Sequence, residues 1–274
     1  MTVTFPGTYP AFRRDYRLLE VSDSRLLAAI ESKDPLFIRG ITGEEDAVIC
    51  TRDATFRLSE LLTSNLCLVA EETQANEATI VSTPSGTLTA SYLARPPGIE
   101  QLIKALMSCP FNGADTTQPE SFLHVKEIFR SVQASDAEIL NFLMSFDAFI
   151  VNNHYRILGP SILCRFFEYF FTTAILEDWN MNHLAIEEIC FYFSTTHPDE
   201  FADNVVRHIL ACYSIDEKGS RSFNFVKASR FFAEQLFRAK ASWGLSEFVD
   251  AWNKTLHDFV LPNLESIPDF HVKE

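Results

Sequence analysis

The sequence predicts an α+β protein, with an N-terminal β-barrel-like domain followed by tandem winged-helix modules. Three observations carry that expectation. Between 16 and 93 apolar and polar residues alternate with period two, and turn residues recur about every ten positions, as short half-buried strands require. Past a polar stretch at 112–119 the apolar spacing changes to that of helices. In that second part the order helix, helix, hairpin, which is that of a winged helix, occurs twice. The expected layout is therefore a strand-rich subunit-assembly domain at 1–111, a linker at 112–119 and winged-helix repeats at 120–274.

Residues 16–21 read as a strand. Ser22 or Asp23 caps a helix to about 32, with Leu26, Leu27 and Ile30 on one face. A strand at 36–39 leads into a turn around Gly43. Residues 48–51 and 54–58 alternate on either side of Arg52-Asp53 and form a hairpin. Further strands are expected at 66–69, 79–83 and 87–93, with Pro84-Ser85-Gly86 as a turn. A helix over 99–108 closes this part. Beyond the linker, 122–132 reads as helical. Ser135 and Glu138 form a capping box that opens a helix to about Phe146. Residues 149–151 and 155–158 make a hairpin across Asn152-Asn153. Helices follow at 161–176 and 183–193, with a third from Pro198 to about Cys212. A second hairpin pairs 213–215 with 222–225. Helices at 227–238 and 246–256 and a short strand near Phe270 end the chain, as a third, degenerate module.

The 274 residues are 47% hydrophobic, enough to bury a substantial core, and include 25 Phe but only 9 Gly. No apolar run reaches the roughly 20 residues that cross a bilayer; the longest, 166–176, is interrupted by Glu168. The first ten residues lack the layout of a signal peptide, so an intracellular protein is expected. The six cysteines lie scattered in apolar stretches with no C-x-x-C pair, as buried thiols in a reducing compartment do.

Nothing in the sequence offers catalysis, a cofactor or a metal centre. Phosphate-binding glycine loops, a G-x-S-x-G elbow and H-E-x-x-H are all missing. His208 and Cys212 share a helix face, as do His183 and Glu187, but neither pair has further ligands nearby. Glu187-Glu188 reads as a solvated face. The aromatic run Phe166, Phe167, Tyr169, Phe170 and Phe171 is too wide for one stripe and is expected to be core.

Charge argues against a general nucleic-acid binder. The formal net charge is −14, and both 1–119 and 120–274 are acidic. One segment differs. Lys218, Arg221, Lys227, Arg230, Arg238 and Lys240 are accompanied within their span by a single acid, Glu234. They straddle the second expected wing and the helix after it, where cations of this fold reach phosphates. They are the candidate DNA-binding set; a charged surface that compensates acidic neighbours is the alternative. The apolar residues of the early strands, Val48, Cys50, Phe56, Leu58, Leu66, Leu68 and Val69, are the candidate partner-binding set, because an apolar sheet face or open edge invites another chain.

Several short stretches together resemble one family. They are Cys50-Thr51, 55–58 (TFRL), Ser64-Asn65-Leu66, Leu18-Leu19-Glu20, Phe37-Ile38-Arg39-Gly40 and, near the C-terminus, Lys227, Arg230-Phe231, Leu236-Phe237, Trp243 and the helix from Ser246. These resemble the sister chromatid cohesion (Dcc-one) family, a subunit of the alternative replication factor C clamp loader. The chain departs from it at Phe225-Val226, where the family carries Leu-Pro. The resemblance implies a non-catalytic nuclear subunit acting in DNA replication and sister chromatid cohesion. Its N-terminal half would combine with a small cohesion subunit and the C-terminal tail of the large subunit. Its winged helices would contact DNA weakly and without sequence preference, and the assembly would dock on the catalytic subunit of polymerase epsilon. A winged-helix transcription regulator is the alternative, and calls for a more basic helical half. An enzyme is a third class, without a constellation to support it.

Overall fold

The computed structural model describes residues 2–4, 17–40, 47–62, 67–74, 77–84, 86–113, 119–217, 219–240 and 242–255. The turn at Gly43, most of the expected linker and the strand near Phe270 lie outside them. The chain divides into two compact units, Met1–Ser108 with Pro119–Tyr155, and Cys109–Gln118 with Arg156–Glu274.

The first unit holds two sheets. Strands β1 (Thr2–Thr4), β2 (Leu18–Val21), β3 (Phe37–Arg39), β4 (Val48–Cys50), β5 (Thr55–Leu62), β6 (Val69–Gln74), β7 (Glu77–Ser82) and β8 (Gly86–Tyr92) include the expected hairpin, β4–β5. Five of them form one sheet in the order β2-β8-β5-β4-β3, and three form another in the order β1-β7-β6. Among the described residues the sheets remain separate and open, so the expected barrel-like form is not seen as a closed barrel there. The reason lies in the connectivity. β2 pairs in parallel with β8, Leu18 opposite Thr87, and β1 pairs in parallel with β7, so the sheets are mixed rather than an up-and-down meander. Helix α1 (Ser24–Glu31) is capped by the Asp23 side chain, which accepts from the Arg25 N–H. It sets Leu26 into a core of Ile49, Ala54, Phe56 and Ala90.

Helix α2 (Pro97–Ser108) approaches the loop before α4 so closely that Gly98 is needed there: a Cβ on it would sit 2.4 Å from the Gln133 nitrogen. The helix expected over 122–132 is interrupted. A 3-10 turn at Ser121–Leu123 and the one-turn α3 (Ile128–Ser131) flank His124, which bridges to His154 instead. Helix α4 (Asp136–Ser145) has the expected capping box, with Ser135 and Glu138 reciprocally bonded. Strands β9 (Phe149–Val151) and β10 (His154–Arg156) follow as a hairpin whose turn residues, Asn152 and Asn153, both have positive φ.

The second unit is organised around α5 (Pro160–Leu176), which opens with proline in its first turn. Phe166, Phe167, Phe170 and Phe171 are fully buried as expected, but Tyr169, expected in the core with them, lies on the exposed side of the helix. Phe166 meets Phe193 of α6 (Ile186–Thr196) at 4.9 Å between ring centres, and Phe167 meets Tyr213 at 4.9 Å. Helix α7 (Asp203–Cys212) starts later than expected. Pro198 lies in the preceding turn, and Phe201 is buried against the same cluster. Strands β11 (Ser214–Glu217) and β12 (Ser220–Phe223) form the second hairpin, with positive φ at Gly219. The segment at 181–184 adds to it, because Phe223 N–H donates to Met181 and Leu184 N–H to Arg221, both at 2.8 Å. Helices α8 (Phe225–Ala239) and α9 (Leu245–Thr255) end the described chain, joined by a hydrogen bond from Trp252 Nε1 to the Ser229 carbonyl.

Candidate functional site

The two candidate sets of residues fare differently. In the first, Val48, Cys50 and Phe56 are completely buried by the unit's own atoms, and Leu58 packs against the same core. They build the sheet rather than face a partner. Leu66 lies outside the described residues. Leu68 is exposed just before β6, and Val69 is half-buried at the start of that edge strand. The exposed apolar residues of the five-stranded sheet are ones the alternation did not single out. Ile38, on edge strand β3, is 69% exposed and Leu62, at the end of β5, is 72% exposed, with Phe37 and Leu61 beside them. Beyond Leu58, whose N–H donates to the Ala47 carbonyl, β5 pairs only with β8 among the described residues. Among the described residues, backbone hydrogen-bonding positions and apolar side chains therefore stand open together, on β3 and on the far half of β5.

In the second set, Lys218 lies outside the described residues. The other five gather on the β11–β12 hairpin, on α8 and just past its end. Lys227, Arg230 and Arg238 succeed one another at helical intervals with Glu234 between them, so all four share one face of α8. What sequence spacing missed is the neighbouring acids. Arg221 lies directly across the hairpin from Asp216, with Nε 3.8 Å from its carboxylate. Arg230 Nε donates to Glu234 at 2.8 Å. Lys240 Nζ donates to Glu247 at 2.6 Å and also sits 4.6 Å from the Trp243 ring centre, and it holds the Glu247 carboxyl below the usual range. Lys227 lies 5.2 Å from the Tyr213 ring. Arg238 is exposed in the last turn of α8, where the helix dipole favours a cation. The pairs are solvent-exposed, and exposed pairs contribute at most about 1 kcal/mol, so a phosphate can exchange with each carboxylate.

No group of three or more metal-ligating side chains occurs among the described residues. His208 Nε2 lies 3.5 Å from Cys212 Sγ. Burial pushes the Cys50 and Cys164 thiols up, and that of Cys190 to about 11, which keeps them protonated and poor as nucleophiles. Glu187, read from the sequence as part of a solvated face, is exposed and also grips Arg207: Nη1 and Nη2 donate to its two carboxylate oxygens at 2.6 and 2.5 Å.

Residues 16–271 match the family described as "Sister chromatid cohesion protein Dcc1". The chain belongs to this family. Its relatives include "Sister chromatid cohesion protein DCC1" of Xenopus tropicalis, 25% identical over 273 residues, covering 92% of this chain and 68% of the relative. The human protein of the same description is 24% identical over 282 residues, covering 96% of this chain and 70% of the relative. That of Danio rerio is 25% identical over 273 residues, covering 92% and 68%. The match thus extends over both units, including the five-stranded sheet and the basic hairpin-helix segment.

Proposed function

We propose that this chain is a non-catalytic subunit of an alternative clamp loader, acting in the nucleus in DNA replication and sister chromatid cohesion. Family membership supports the role in cohesion. The observation that carries the assembly reading is the pair of open mixed sheets, with exposed Ile38 and Leu62 where backbone groups await a neighbour. Strands from the small cohesion subunit and from the C-terminal tail of the large subunit would extend these sheets, main-chain bonds giving affinity and the apolar residues giving register.

The helical segments fit winged helices. In the first, α2, α3 and α4 precede the β9–β10 hairpin, and the chain at His124 adds to that hairpin, with Val125 N–H donating to Asn153 at 2.9 Å. In the second, α5, α6 and α7 precede β11–β12, with 181–184 in the corresponding place. Helices α8 and α9 open a third. On α4, Leu140 and Met144 are both exposed one turn apart, beside exposed Asn141 and Ser145, and the helix has no cation. That face suits a protein, and we assign it to the catalytic subunit of polymerase epsilon. Weak, sequence-independent DNA contact is assigned to Arg221, Lys227, Arg230, Arg238 and Lys240, with Lys218 beside them.

The assembly reading is tested by changing Ile38 and Leu62 together to Asp. Both side chains are exposed, so the unit should still fold. After co-expression with the small subunit and the large-subunit tail, the variant should purify without either. Full recovery of both partners would rule the reading out.

A further inference from the structure

We propose that a clamp of Glu187, Arg207 and Asp203 keeps duplex DNA off the α6–α7 pair, so that nucleic acid meets this unit only through β11–β12 and α8. The inference rests on the DNA-contact reading above and refines it. In the winged-helix order α7 is the helix that would enter a groove. Its residues and those of α6 include one cation, Arg207. That guanidinium is already engaged on two edges. Its Nη1 and Nη2 form a fork on Glu187, and its Nε donates to Asp203 at 2.7 Å. Three of its five donors are taken.

The charges around it decide the sign. With Glu188 alongside, the four groups sum to a net −2. Arg207 holds the Glu187 carboxyl below the usual carboxylate range, so the clamp stays charged into mild acid. A phosphate reaching for Arg207 would have to displace a carboxylate that then remains beside it, exposed and repulsive. The β11–β12 and α8 cations differ. Arg221 and Asp216 are 3.8 Å apart, Arg230 and Lys240 each pair with one carboxylate among the described residues, and Arg238 pairs with no acid among them. Phosphate can therefore approach from that side at lower cost. The consequence is sequence-blind binding, because base edges are read by a helix in the groove whereas a wing and a helix flank meet the backbone.

The test uses the assembled complex and duplexes of unrelated sequence at several salt concentrations. E187Q/D203N frees Arg207 and removes two negative charges. It should bind more tightly, with a salt slope steeper by about one unit, for the one further phosphate that Arg207 then neutralises. E187Q/D203N/R207Q, neutral at all three clamp positions, should bind more tightly without the added slope. R207A alone should stay within about twofold of the parent at physiological salt, where exposed charges are screened. Unchanged curves for E187Q/D203N overturn the proposal, as does a loss in R207A equal to that of R221E/K227E/R230E. If the parent complex binds no DNA but E187Q/D203N does, the exclusion stands and the DNA-contact reading falls.

Discussion

Thr55 shows how single residues set the architecture. Its hydroxyl donates to Glu138 at 2.5 Å and accepts the Ser135 N–H at 2.8 Å, so strand β5 is fastened to the capping box of α4. The buried Arg39 of β3 reinforces the same place by donating to the Ala134 carbonyl and to Asp136. The capping box was legible in the sequence, because Ser and Glu three residues apart have a local meaning. The anchors at Thr55 and Arg39 were not, since they join residues eighty or more positions apart. Thr55→Val removes one hydrogen bond to the part-buried Glu138 carboxylate, which keeps its bonds from Ser135, and should cost about 1 kcal/mol. Urea unfolding should show a lower midpoint with an unchanged slope. Gly98→Ala should cost about 1–3 kcal/mol, by pressing a methyl group into the Gln133 backbone. A variant as stable as the parent would contradict that close approach.

At the scale of elements, period gave most strands and helices to within a few residues. It gave the β4–β5 hairpin, α4 and the turn at Asn152-Asn153, each of which depends on neighbours in sequence. It failed at 122–132, where apolar spacing hid an interruption at His124, and at Pro198, which fits a first helical turn but stands in the turn before α7. It could not show that the strands divide between two sheets, because alternation marks a strand without naming its partner. The same limit explains the early apolar residues. Alternation shows that Val48, Cys50 and Phe56 need cover, and the unit's own helices and strands supply it. For the cation set, spacing correctly put Lys227, Arg230 and Arg238 on one face of α8 but could not reveal Asp216 beside Arg221 or Glu247 beside Lys240. Two predictions belong here. Leu140→Asp with Met144→Asp should abolish polymerase binding in a pull-down and leave clamp-loader assembly intact; retention of the polymerase would reassign that face. Arg221, Lys227 and Arg230 changed together to Glu should weaken DNA binding equally for unrelated sequences and flatten the salt slope by about one unit for each phosphate no longer neutralised. Superimposable curves would leave that strip as a solvated surface.

For the whole molecule, the formal charge of −14 makes the protein repel nucleic acid on average. A few exchangeable cations on one hairpin and helix can act only when that side is presented, which is what assembly into a larger body would do. DNA affinity of the isolated chain should therefore be far below that of the complex and should fall steeply as salt rises, measured by fluorescence anisotropy over a salt series. Equal affinities would mean that assembly contributes nothing to presentation. The parallel pairing of β2 with β8 bears on something else, the timing of synthesis. Leu18 leaves the ribosome long before Thr87, its partner across the ladder, exists. Closing so long a loop costs entropy before any contact offsets it, which makes such pairings slow. Throughout that interval, and while the chain grows at about 5–20 residues per second, β2 has apolar side chains and unpaired amides but no native neighbour. The first strand of the large sheet to be made is thus among the last to be placed, and nascent chains are most vulnerable to mispairing before residue 92 has emerged.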